Sequence, residues 1–126
     1  MKYVEMYIDE MKKAKEGLQI AIGEFQNKLN YIKCIEETKE NRWELVQLEE
    51  HYTNCIKVLI RVVKKYSNMI KNAEMDELTE EDFKDMIKEI QRTHAQVVRE
   101  CERKSIQRLE KLYFENNLAI QTSSIN

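Results

Sequence analysis

The chain has 126 residues with 21 basic against 23 acidic side chains, a length that suits one domain and a formal charge of −2 that excludes any global attraction to nucleic acid or anionic membrane. Hydrophobic residues make up 42% and charged residues 35%, with 2 glycines and no proline, which excludes a sheet protein built on tight turns and suits long helices. The cysteines Cys34, Cys55 and Cys101 are odd in number and have no paired spacing, which excludes a disulfide scaffold and leads us to expect a reduced, cytoplasmic protein.

From the N-terminus, Val4, Ile8, Met11, Leu18, Ile22, Phe25, Leu29 and Ile32 recur in alternating steps of four and three, the seam of an amphipathic helix over about residues 2–38. Tyr7, Ala14, Ala21 and Ile35 widen that stripe on one flank, so the helix is expected to face two neighbours. Lys15 is a polar interruption of the seam, expected to snorkel to water. Gly17 and Gly23 mark either a close helix approach or a local weakness, and the sequence does not choose between them. No apolar leader-like segment follows Met1, and the most apolar neighbourhood, Val58 to Val63, is interrupted by Arg61 and too short to cross a bilayer.

The polar run EETKEN ends the first pattern, and Asn41 with Glu44 has the spacing of a capping box that opens a second helix over about 41–73. Its seam runs Leu45, Leu48, Tyr52, Cys55, Leu59, Val62, Tyr66 and Met69, widened by Ile56, Val63 and Ile70. After a reversal near Asp76, Thr79 is placed to cap a third helix over about 79–115, with Glu80, Glu81 and Asp82 at its positive end and Leu78 and Phe83 spaced as a hydrophobic staple. The third seam, Phe83, Ile87, Ile90, His94, Val97 and Cys101, then slips in phase. Lys104 and Arg108 fall where apolar residues belong, and the apolar set moves to Ser105, Leu109 and Leu112. Residues 117–126 read as a flexible tail in which Leu118 and Ile120 could dock. The expected fold is all-α: one domain over 1–116, an elongated antiparallel up-down-up three-helix bundle with coiled-coil-like packing, able to dimerise.

The stretch HYTNC places His51 one helical turn before Cys55, and folding the third helix back around Asp76 brings Cys101 level with His51. These three residues are candidate metal ligands, because zinc takes imidazole nitrogen and thiolate sulfur in a tetrahedral shell. The reading we prefer is that Cys55 and Cys101 fill the core as small hydrophobes, with His51 flanking the seam and partly wet, so that no metal or cofactor is expected. A Cys55–Cys101 disulfide is disfavoured in a reducing compartment. His94 is expected to be a hydrogen-bonded core histidine, too far along its helix to join the other three.

Carboxylates abound, as in EETKE and EEDFKD, but no pair is forced into a dry cleft, and no phosphate-binding loop or nucleophile elbow is present, so a non-enzymatic protein is expected. Arg99, Arg103, Lys104, Arg108 and Lys111 form a basic strip, but Glu100, Glu102 and Glu110 interleave with it, which favours a solvated mixed-charge face over a nucleic-acid surface. Met6, Ile20 and Cys34 lie on one outer line of the first helix. The large aromatics Trp43, Tyr113 and Phe114 sit near helix ends, where they cap the core or anchor a partner, with capping the more common use. Met6, Ile20, Trp43, Tyr113 and Phe114 are therefore the candidate partner-binding residues. The function expected by elimination is a protein-protein interaction module: an adaptor, chaperone or inhibitor, with a phage or bacterial immunity or anti-defence protein as one specific form. A metal- or redox-responsive switch through His51, Cys55 and Cys101 is the first alternative, and nucleic-acid binding through the third helix is the second.

Overall fold

The alternating apolar stripes fold as helices. A computed structural model describes residues 2–75 and 79–115, and among these there are four α-helices, a closing π-helical turn and no strand. Helix α1 spans Lys2–Lys33, α2 Arg42–Glu74, α3 Glu80–Cys101 and α4 Lys104–Glu110, and the π-helical turn covers Lys111–Glu115. The predicted reversal at Asp76, the staple partner Leu78 and the tail over 117–126 lie outside the described residues.

The first helix ends earlier than expected, at Lys33 rather than near residue 38. Its last turn tightens, with the Cys34 and Ile35 amides donating to the carbonyls three residues back, and the charged run that follows offers nothing to continue the stripe. The cap of α2 also differs from the sequence expectation. Thr38 and Asn41 cap each other: Asn41 Oδ1 accepts from the Thr38 amide at 2.7 Å, and Thr38 Oγ1 accepts from the Asn41 amide at 3.2 Å. Glu44, predicted to complete the box with Asn41, instead accepts from the Tyr113 hydroxyl at 2.8 Å. The cap of α3 is the predicted one, with the Thr79 hydroxyl accepting from the Asp82 amide and the Asp82 carboxylate accepting from the Thr79 amide, both at 3.2 Å.

All eight predicted seam residues of α2 are buried, as are the flanking Ile56 and Ile70, because this helix is covered by α1 on one side and by α3 and α4 on the other. On α1, Met11, Leu18, Leu29 and Ile32 are buried, while Tyr7, Ala14 and Ala21 are half-buried along the predicted flank, as are Lys15 and, just past the helix end, Ile35. The third stretch is not one helix. Phe83, Ile90 and Val97 are its buried residues, seven apart, and one more step of seven would carry Lys104 into the core. The chain breaks first: α3 stops at Cys101, Arg103 is extended at φ −58° and ψ 130°, and α4 restarts with Ile106 and Leu109 turned inward. Ser105 and Leu112, expected to replace the lost seam, are exposed, and Ile106 takes their place.

The core divides into two clusters. One joins Met11 and Leu18 of α1 to Leu59, Val62 and Met69 of α2 and to Phe83, Ile90 and Val97 of α3. The other joins Leu29 and Ile32 to Leu45, Leu48 and Tyr52 of α2 and to Ile106 and Leu109 of α4, with the half-buried Ile22 and Phe25 packed against both clusters. Contacts fix the pairing: Lys12 Nζ lies 3.7 Å from Glu74 Oε1, the Tyr7 and Phe83 rings stack at 5.7 Å, and Lys65 Nζ donates to Glu89 Oε1 at 2.6 Å.

A Cβ added at Gly17 or Gly23 would meet nothing within 4 Å, so both glycines are local weaknesses rather than close approaches. Gly17→Ala and Gly23→Ala are each expected to stabilise the chain by roughly 0.4–1 kcal/mol, by narrowing the unfolded ensemble and raising helix propensity. A rise in the urea midpoint at unchanged slope checks this, and a fall at either position would contradict it.

Candidate functional site

Helix α2 presents His51 and Cys55 one turn apart toward α3, and α3 ends on Cys101 at the same height. One nitrogen of His51 and the two sulfurs lie within 4.8 Å of one another. Cys55 Sγ is 3.7 Å from His51 Nε2 and 4.0 Å from Nδ1. His51 is 7% exposed, drier than the half-wet flanking position expected of it, because its ring packs beside Tyr52 at 5.5 Å under the end of α3. Cys55 is buried, Cys101 half-buried and Cys34 exposed, and all three are free thiols.

Burial sets the chemistry of the group. It pushes the Cys55 thiol up to about 12, with the neighbouring Cys101 sulfur adding to the rise, and it raises Cys101 as well. Both thiols are therefore protonated and poorly nucleophilic at neutral pH. Burial also holds His51 below the usual histidine range, although the Glu110 and Glu100 charges pull it partly back, so the ring is neutral with a lone pair available to a ligand.

His51 and Cys55 form part of the wall of a cleft of about 650 Å³ between α2 and the α3–α4 break, with Glu50, Asn54 and Arg61 from one side and Gln96, Glu100 and Arg103 from the other. Arg103 Nη1 donates to Glu100 Oε2 at 2.9 Å, which holds the extended residue of the break against the end of α3. This also divides the expected basic strip, since Arg99 lies on α3 and Lys104 and Arg108 on α4.

Comparison with protein families, with characterised proteins and with solved structures finds no match.

Several predicted residues stand elsewhere than expected. His94 is exposed, not a core histidine, because α3 buries only its every-seventh-residue line, and it lines a separate shallow cleft with Leu18, Tyr66 and Ile90. Trp43 does not cap the core: it is 73% exposed on the outer side of the first turn of α2. Met6 and Ile20 are also exposed, at 65% and 64%. Tyr113 and Phe114 are half-buried and pack on the second core cluster, Phe114 lying 5.2 Å from the Tyr31 ring.

One residue was missed. Glu110, read from sequence as part of a solvated face, accepts from the Tyr52 hydroxyl at 2.7 Å and from Lys28 Nζ at 3.0 Å. Lys28 Nζ in turn lies 5.9 to 6.0 Å from the ring centroids of Phe25, Tyr52 and Phe114. The available signal was Tyr52 itself, since a tyrosine on a core seam needs a partner for its hydroxyl. The register change at Arg103 put that partner beyond the height that an unbroken helix gives.

Proposed function

We propose that the chain is a non-enzymatic protein-protein interaction module, an adaptor, chaperone or inhibitor, whose partner docks at the end of the molecule where α2 begins. The observation that carries this reading is Trp43, 73% exposed. Tryptophan is enriched among the residues that dominate binding energy, and a large indole left in water contributes little to a monomer. Leu112, 48% exposed, belongs to the same end, because its neighbour Tyr113 is hydrogen-bonded to Glu44, the residue after Trp43. Met6 and Ile20 on α1 add a second exposed apolar line.

The pairings Lys12–Glu74 and Lys65–Glu89 support an up-down-up path for the three long helices, and the seven-residue spacing of Phe83, Ile90 and Val97 supports coiled-coil-like packing. Among the described residues no helix is long and apolar enough to cross a membrane, and free thiols suit a reducing cytoplasm. The Lys-, Glu-, Ile- and Asn-rich composition suits an AT-rich phage or bacterial genome, which makes an immunity or anti-defence inhibitor a specific form of this reading.

Trp43 is the sole tryptophan, so its fluorescence reports on the docking end alone. The isolated chain is expected to emit as a water-exposed indole that acrylamide quenches freely. In the complex purified from the native cell the emission moves to the blue and quenching falls. Trp43→Ala, with unchanged helical circular dichroism, weakens that complex at least about tenfold, the effect of a residue worth more than 1.4 kcal/mol. A partner held equally well by Trp43→Ala would refute the docking site. The same blue shift on concentrating the chain alone would identify a second copy as the partner.

A further inference from the structure

We propose that His51, Cys55 and Cys101 form a site for Zn²⁺ that clamps the middle of α2 to the end of α3, immediately before the break that leads into α4. Three soft donors from two helices converge within 4.8 Å. Around a tetrahedral zinc with bonds of about 2.0 to 2.3 Å, neighbouring donors stand roughly 3.5 to 3.8 Å apart. The 3.7 Å between Cys55 Sγ and His51 Nε2 already meets that spacing, so the ion requires shifts of an ångström or less at the third donor. The i, i+4 placement on α2 gives both donors one face of a rigid helix, and Cys101 is the last residue of α3, where backbone adjustment is least costly.

Charge and access fit the same ion. On binding, each thiol gives its proton to solvent and the neutral imidazole keeps its tautomer, so one divalent cation with two thiolates leaves a shell of zero net charge, which a half-dry site accommodates. The cleft beside the cluster gives the ion an entry path and leaves the fourth corner to a solvent ligand. A sulfur- and nitrogen-rich donor set disfavours magnesium and calcium, which take oxygen.

The test uses the full chain, reduced and freed of metal by chelation, titrated with Co²⁺ as a spectroscopic probe and then with Zn²⁺. The expected result is one cobalt per chain, with the intense sulfur-to-cobalt charge-transfer absorption and the visible bands of a tetrahedral ion, bleached by one equivalent of zinc. Cys101→Ser, at a half-buried position that tolerates the change, is expected to weaken binding by more than about a hundredfold, beyond the cost of losing an outer-shell partner. Cys55→Ser acts likewise, and His51→Gln keeps thiolate absorption but loses affinity. Cys34→Ser, at an exposed position after α1, leaves the titration unchanged. Zinc also raises the melting temperature of the wild-type chain and not that of Cys101→Ser. Absence of a saturating charge-transfer band overturns the proposal, as does a band that survives Cys101→Ser or disappears in Cys34→Ser. None of these readouts depends on the partner or on Trp43.

Discussion

Phe83→Ala is expected to cost about 3 to 5 kcal/mol of folding free energy, the range for emptying a buried phenylalanine site. Phe83 is 0% exposed and stacks on Tyr7 with ring centroids 5.7 Å apart, so the change removes a packed ring from between α1, α2 and α3. Little can collapse into the space, because Met69 and Ile90 of the same core cluster are themselves fully buried. For a domain whose whole stability is on the order of 5 to 15 kcal/mol, that loss is a large fraction. Urea unfolding followed by circular dichroism checks it through the midpoint, while Ile20→Ala, at an exposed position, should stay within about 0.5 kcal/mol of the parent. A Phe83→Ala loss below about 1 kcal/mol would contradict the packing described.

Glu110→Ala comes next, with an expected loss of about 2 kcal/mol. Its carboxylate holds two partners, the buried Tyr52 hydroxyl and the half-buried Lys28 ammonium, and removing it leaves the ammonium facing three aromatic rings without the carboxylate it pairs with. Hydrogen bonds to charged groups are worth about 1.5 to 3 kcal/mol, and partial exposure keeps the cost near the lower half of that range. Tyr52→Phe alone should lose about 1 kcal/mol, and the double variant less than the sum of the two, because both remove the same bond. Strict additivity would mean that the Tyr52–Glu110 hydrogen bond carries no coupling.

The seam of α2 was legible down to the residue because that helix is covered on two sides, and an amphipathic pattern is strongest where burial is most complete. The convergence of His51, Cys55 and Cys101 was legible too, since it needs only one turn of helix on α2 and a reversal near Asp76. The slip at Cys101 was visible as an anomaly, but its resolution was not: the sequence shows Lys104 arriving where a hydrophobe belongs, and only the tertiary fold decides whether a helix bends, buries a charge or stops. Glu110, Tyr113 and Phe114 lie beyond that stop, and the pairing of Glu44 with Tyr113 follows from it. His94 and Trp43 were misplaced for a related reason. Both residue types are of intermediate burial, and α3 buries a narrow line while Trp43 on the first turn of α2 is left 73% exposed.

The division of the core has a consequence for how the molecule opens. Helix α4 has seven residues, too short to hold its own hydrogen bonds in water without support, and it is held by Ile106 and Leu109 in the smaller of the two clusters and by Glu110 to Tyr52 and Lys28. It acts as a latch. Local melting would release α4 and bare Leu48 and Tyr52 while the larger cluster around Met69 and Phe83 stays folded, so the amide protons of 104–110 should exchange with solvent well before those of 80–101.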